Sequence, residues 1–244
     1  MTSRLAPSSL VLVCTYNERE NLPNLLGAIR SASPDSDVLI VDDHSPDGTA
    51  DWVRLHQKSN PRVALIERSG KLGLGTAIRT GMNYAIEHRY EWLVNLDGDL
   101  SHDPGVIPQM VSLRDAYDLV IGSRYVSGGG LQGCSWRRIA VSRFANWLAR
   151  RMVGWSIRDC SSAYRMYRVA MLEKIDLDGL QETGYGFLEE ILAHLLKSGA
   201  RVTEVPIIYQ ERRLGQSKIS LHEARSAFSA LLKASAIHQS KKRG

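Results

Sequence analysis

The stretch WLVNLDGDLSHDP, residues 92–104, decides how the rest of the chain is read. Trp92, Leu93, Val94 and Leu96 make its first half apolar. Asp97, Asp99 and Asp103 then arrive within seven positions, with His102 beside them. A short, unbroken apolar run is what a strand buried on both faces looks like, as in a parallel sheet covered by helices. In such sheets ligands sit beyond the carboxyl ends of the strands. Acids at that end are therefore candidate site residues. The competing reading is that they cap a helix starting near Pro104.

The same pattern recurs on both sides. LVLVCTY (10–16), DVLIVDD (37–43), VALIER (63–68) and DLVIGSRY (118–125) are further apolar runs. Between them, 18–32, 46–57, 74–88 and 104–116 have helical spacing, with Leu22, Leu25, Leu26 and Ile29 on one face of the first. Strands alternating with helices predict an α/β fold, a mostly parallel central sheet flanked by helices. After Gly128-Gly129-Gly130 the pattern changes to a basic helix (137–153), a strand-like piece (161–168), a helix near 186–198, a strand at 201–209 and a C-terminal helix near 221–238. No linker interrupts it, so 1–244 is read as one domain, with halves 1–127 and 128–244.

Four strand ends are polar: Thr15-Tyr16-Asn17-Glu18, Asp42-Asp43, Asp97-Gly98-Asp99 and Ser123-Arg124. Four such ends in one sheet predict one shared site. Carboxylate oxygens suit a hard divalent cation, Mg²⁺ or Mn²⁺, that also binds phosphate; Gly98 lets both side chains address one ion. There is no P-loop, and Lys71-Leu72-Gly73-Leu74-Gly75 lacks the third glycine of a dinucleotide fingerprint. It reads as a loop in close approach to a ligand, with Lys71 near phosphate, or as plain turn chemistry.

The chain has 244 residues and a formal net charge of +5. Residues 135–168 hold eight Arg, no Lys and one acid, Asp159, a net +7, which leaves about −2 for the rest. Such a cluster calls for a phosphate or a membrane surface. Trp136, Ala140, Phe144, Trp147 and Leu148 form one stripe of the basic helix; Arg137, Arg138, Arg150 and Arg151 lie elsewhere on the wheel. That stripe either lies in a membrane interface or packs on the sheet. Cys14, Cys134 and Cys160 show no metal spacing, which predicts a reducing compartment. The seven His show no ligand spacing and are read as surface or local hydrogen-bonding residues. No apolar run is long enough for a signal-peptide core or a membrane span, so membrane contact is expected to be peripheral.

Taken together, TYNE (15–18), VDDHSPDGT (41–49), KLGLGTA (71–77), LDGDLSHDP (96–104), IGSRY (121–125), SRFAN (142–146), DCSSAYRMY (159–167), GYGFLEE (184–190) and GQSK (215–218) resemble the family 2 glycosyltransferases. More narrowly, the chain resembles the polyprenol-phosphate (dolichol-phosphate) mannose synthases over nearly its whole length. The resemblance implies a GT-A fold, GDP-mannose as donor, a polyprenyl phosphate acceptor and inversion at the sugar. It implies that Thr15, Tyr16, Asn17, Glu18, Asp42, Asp43, Lys71, Gly73 and Asp97 line the donor, and that Asp97, Asp99 and Ser101 hold the metal. Arg124, Arg138, Ser217 and Lys218 would meet the acceptor phosphate, and Arg124, Arg212 and Lys218 would serve catalysis beside the two carboxylates. Ser101 stands where many members have Gln, and Cys14 where many have Pro. Some members continue into membrane helices. This chain ends in SKKRG and is expected to be the peripheral kind, on the cytoplasmic face, alone or with an anchoring subunit.

A polyprenyl-phosphate glucosyltransferase using UDP-glucose is the nearest rival. A nucleic-acid-binding module would explain the basic segment but not acids at strand ends, which repel phosphate without a metal. A nucleotidyltransferase would need a glycine-rich loop after the first strand, and a polysaccharide synthase a QxxRW-like motif and membrane helices.

Overall fold

The structure is a computed structural model, and it describes residues 9–153, 156–184 and 186–211. Its elements are β1 (Ser9–Thr15), α1 (Leu22–Ala32), β2 (Asp37–Asp42), α2 (Thr49–Gln57), β3 (Val63–Glu67), α3 (Leu74–Glu87) and β4 (Trp92–Asp97). A 3₁₀ turn (Pro104–Val106) leads into α4 (Ile107–Val111), then β5 (Leu119–Ser123), β6 (Gly130–Gln132) and α5 (Trp136–Val153). The rest are β7 (Arg165–Arg168), α6 (Val169–Leu172), α7 (Gly186–Lys197), β8 (Val202–Pro206) and β9 (Ile208–Gln210).

Seven strands form one sheet in the order β3-β2-β1-β4-β7-β5-β8, and β6 and β9 pair separately. The pairs among β1 to β4, and β5 with β8, are parallel; β7 runs antiparallel between β4 and β5. β1 shows why its run is apolar throughout. Leu10 and Leu12 join a core with Ile78, Met82 and Leu188, while Val11 and Val13 join the opposite core with Leu22, Leu25, Ile29 and Met110. Both faces are covered, so neither tolerates a polar residue. Gly81 sits mid-helix in α3, where glycine costs roughly 1 kcal/mol against alanine. A Cβ there would lie 2.3 Å from Leu12 Cδ2; its absence lets α3 press onto β1.

The register aligns the strand ends that matter. Cys14 is level with Asp97, and Thr15 with Asp42. Each following turn carries a non-glycine residue at positive φ: Asn17 (62°), His44 (57°) and Leu100 (61°). Asn adopts this region readily; for Leu it costs of order 1–2 kcal/mol.

Two boundaries differ from the sequence reading. Residues 104–116 are not one helix, because Pro104 and Pro108 split the segment into a 3₁₀ turn and a five-residue helix. The strand at 201–209 is two strands, because after Pro206 the chain leaves β5 to pair with β6. The C-terminal helix expected near 221–238 lies outside the described residues.

Candidate active site

The site is built on the turns after β1, β2 and β4. Asp42 is fully buried, and its Oδ1 accepts hydrogen bonds from Thr15 Oγ1 at 2.7 Å and Ser45 Oγ at 2.6 Å. Its Oδ2 accepts from Ser45 N at 2.8 Å. Ser45 Oγ in turn accepts from Asn17 N at 2.9 Å. Thr15 and Asp42, expected to line the donor, form a buried link between two strand-end turns. Tyr16 remains partly exposed, with Lys71 Nζ 4.1 Å from its ring centroid, and Asn17 is exposed.

Glu18 is buried and accepts a 2.7 Å hydrogen bond from Asn21 Nδ2. Asp43 pairs at 3.0 Å with Arg68 Nε, a residue the motif reading passed over, and both are buried. Burial pushes the Asp43 carboxyl above its ordinary range, while Arg68 and the Leu72 and Gly73 amides pull the other way. Arg68 Nη2 also donates to Thr76 Oγ1 at 2.8 Å, tying the start of α3 to the end of β3.

Gly73 and Gly75, expected to allow close approach to a ligand, lie against the backbone that leads into α7. Gly73 lies at φ +99°, and a Cβ there would be 2.5 Å from Thr183 O. A Cβ at Gly75 would be 2.6 Å from Phe187 Cβ, and Gly75 N donates to Thr183 O at 2.9 Å. The glycines admit the backbone leading into α7, so the loop beside Lys71 is braced by the C-terminal half.

Asp97 and Asp99 sit half-buried on the turn after β4. Ser101 N donates to Asp99 Oδ1 at 3.0 Å, and Asp97 N donates to His102 Nδ1 at 3.2 Å. Of the two readings of the histidines, His102 follows the local hydrogen-bonding one. It is buried, stacked on Tyr164 at 5.1 Å and edge-on to Tyr209 at 5.8 Å. Burial lowers its pKa, with Asp97 and Asp99 opposing; the accepting Nδ1 assigns the proton to Nε2. Ser101 Oγ is buried and has no hydrogen-bond partner among the described residues. Two half-buried carboxylates and an unsatisfied hydroxyl on one five-residue turn fit a hard divalent cation. Among the described residues no group of three or more His, Cys, Asp or Glu is arranged to hold a metal; Mg²⁺ and Mn²⁺ commonly complete their shells with water and phosphate oxygens.

Arg124, expected to meet phosphate, has its Nε and Nη2 engaged by neighbours. Nε and Nη2 donate to Asp159 at 2.8 and 2.7 Å, and Nη2 also donates to Ser161 Oγ at 2.8 Å. Asp159, the lone acid of the basic segment, is fully buried. Burial opposes the Arg124 charge, but the attraction and hydrogen bonds of Asp159 outweigh it, and its pKa lies above the ordinary arginine value. Arg124 also lies 5.9 Å from the Tyr209 ring centroid, the ring that touches His102. Of Arg138 only the backbone, in α5, is described; Arg212, Ser217 and Lys218 lie outside the described residues.

The aromatic stripe of α5 does not pack on the sheet. Trp136, Phe144 and Trp147 are 73%, 61% and 53% exposed, and the last two stack at 5.8 Å. Glu189 was also passed over by the site reading. It is buried in α7, and burial pushes its carboxyl up to about 7 against the pull of Arg165.

The family model described as glycosyl transferase family 2 matches residues 10–176. The chain belongs to that family. It is a glycosyltransferase with an α/β GT-A fold. It is 42% identical over 211 residues, 86% of this chain and 87% of the relative, to an undecaprenyl-phosphate mannosyltransferase of Micrococcus luteus. It is 41% identical over 228 residues, 93% of this chain and 86% of the relative, to a polyprenol monophosphomannose synthase of Mycolicibacterium smegmatis. Among solved structures it is similar to a mannosyltransferase from Pyrobaculum calidifontis in complex with GDP-Man and Mn²⁺. The TM-score is 0.63 at 19% identity, covering 94% of this chain and 63% of that one. Among the described residues no helix is long and apolar enough to cross a membrane.

Proposed function

We propose that this glycosyltransferase moves a mannosyl group from GDP-mannose to the phosphate of a polyprenyl phosphate, with inversion. The observation that carries the reading is its similarity, over most of both chains, to two proteins named for mannosyl transfer to polyprenyl phosphates. The carboxylate turn after β4 supports a nucleotide-sugar donor. The GDP-Man and Mn²⁺ of the Pyrobaculum structure support the choice of sugar nucleotide and of a divalent ion.

Asp97 and Asp99, with Ser101, would hold Mg²⁺ or Mn²⁺. An ion held there would supply positive charge against the departing diphosphate. The chain's own residues do the rest. Tyr16, Asn17 and Lys71 form the exposed wall for the nucleotide, and Asp43 with Arg68 forms its buried floor. His102 holds the Asp97 amide, and through it the turn. The acceptor phosphate is already an anion near neutral pH, its second proton leaving near pH ~6. It needs no strong general base to attack the anomeric carbon. What it needs is cationic surroundings, supplied by Arg124, Arg138, Arg212 and Lys218.

The exposed Trp136, Phe144 and Trp147 would lie in the bilayer surface, which lets the prenyl tail stay in lipid while its phosphate reaches the site. The cytoplasmic face is the proposed side of the membrane. The test is to incubate the protein and Mg²⁺ or Mn²⁺ with GDP-mannose, UDP-glucose and a short polyprenyl phosphate, and to weigh the lipid product. A mannosyl adduct is expected. A hexosyl adduct formed only with UDP-glucose overturns the donor, and no adduct with either overturns the reading.

A further inference from the structure

A cavity of about 360 Å³ opens between α5 and the end of β5. Arg124, Arg143, Asn146, Trp147, Arg150 and Arg158 line it. Its volume is at the lower end of the ~300–1,000 Å³ of small-molecule sites, too large for a single small ion and large enough for a phosphate with part of what it is attached to.

Its charge is lopsided. The two carboxylates nearby are both engaged. Asp159 takes Arg124, and Glu204 accepts the backbone amides of Arg158 and Asp159 at 2.7 and 2.9 Å. Among the described residues no carboxylate pairs with Arg143, Arg150 or Arg158. Arg150 Nε is buried and has no hydrogen-bond partner among the described residues. A buried donor on a charged group left unsatisfied is costly unless a ligand completes it. The Asn146 amide does not help, since it is engaged with Ser142 O, Ser161 Oγ and Cys160 N. Three guanidinium groups without counter-charge around one hollow are a receptor for an oxyanion, and their planar forks suit phosphate.

Position narrows the ligand. β5 is separated from β4 by β7, so the end of β5 that borders the cavity lies two strand spacings from the end of β4, roughly 10 Å at ~4.8 Å a strand. Its rim carries Trp147, stacked with Phe144 on the exposed apolar stripe. An anionic group entering here has apolar surface beside its entrance, as a lipid headgroup requires.

We propose that this cavity is a second phosphate site, in which Arg143, Arg150 and Arg158 hold the phosphate of a membrane lipid outside the reacting position. The proposal rests on the lipid-acceptor reading for its ligand chemistry. The phosphate belongs either to a polyprenyl phosphate waiting to react or to an anionic phospholipid of the surrounding bilayer.

The test is flotation of the full chain with three kinds of vesicle: phosphatidylcholine alone, with phosphatidylglycerol, and with a short polyprenyl phosphate. The R143Q/R158Q variant is compared with K58Q/K197Q, which removes the same charge at exposed positions elsewhere. Arg143, Arg158, Lys58 and Lys197 are all exposed, and unchanged urea midpoints check that both variants fold. Each basic residue at an anionic surface contributes about fivefold in affinity, so R143Q/R158Q is expected to bind roughly 25-fold more weakly. The control should stay within about twofold, because distant exposed charges are screened. A loss on phosphatidylglycerol vesicles assigns the site to bulk phospholipid; a loss only with polyprenyl phosphate assigns it to the acceptor. Unchanged binding on both, or an equal loss in the control, overturns the site. If the product assay above yields no adduct while R143Q/R158Q still loses vesicle binding, the transferase reading fails and the phosphate site stands.

Discussion

Removing Asp159 tests how the basic half is held together. Its carboxylate is fully buried and accepts Arg124 N at 3.0 Å, Nε at 2.8 Å and Nη2 at 2.7 Å. The Arg124 side chain is 14% exposed, so little water replaces a lost partner. Hydrogen bonds to a charged group are worth roughly 1.5–3 kcal/mol each, and three give a gross figure of about 4.5–9 kcal/mol. Desolvation of both ions cancels part of that, and breaking one side of a buried pair typically costs about 3–5 kcal/mol. Asp159→Ala is therefore expected to lower unfolding free energy by about 3–5 kcal/mol in urea titrations, a large share of a typical ~5–15 kcal/mol. Arg124→Met/Asp159→Leu should recover much of the loss, because no buried charge is then left alone. Transfer by the double variant adds the functional answer: if Arg124 only braces the Asp159 loop, activity returns with stability; if it also meets phosphate, activity stays low. A loss under about 1 kcal/mol for Asp159→Ala, or a double variant no more stable than the single, would refute the reasoning.

Asp99→Ala should lower transfer at least a hundredfold, the factor that ~3 kcal/mol of lost charge stabilisation gives, with the urea midpoint little changed; full activity of that variant in chelator would exclude a metal role. Gly75→Val places a Cβ 2.6 Å from Phe187 Cβ, and overpacking of that kind costs about 1–3 kcal/mol; calorimetry should show a lower Tm, and an unchanged one would mean that α7 gives way. Asp118 takes hydrogen bonds from Arg201 and Arg168, which lower its carboxyl to about 2 from an ordinary 3.8. A depressed carboxyl contributes stability above its unfolded pKa and loses it as pH falls through the folded value. The wild type should therefore weaken between pH ~4 and ~2 more steeply than Asp118→Asn, by about 1 kcal/mol after solvent screening. Parallel curves would exclude the pair.

The sequence by itself determined the part of this protein that local chemistry dictates. Strands buried on both faces are mostly apolar, so β1, β2 and β4 were legible, and runs of polar residues at their ends stood out as candidate site residues. Asp97 and Asp99 were picked out as candidates that way, and the α5 stripe was legible because its period is helical whatever it touches. Tertiary structure alone decided what each polar residue faces. Thr15 and Asp42 were legible as strand-end residues, but register turns them toward each other. Gly73 and Gly75 carry no mark of Thr183 and Phe187, more than a hundred residues on. The insertion of β7 between β4 and β5, and the pairing of Arg124 with Asp159, are long-range choices set by how two halves close over one sheet. No periodicity records them, because a strand's sequence fixes which faces are buried and leaves its neighbour open.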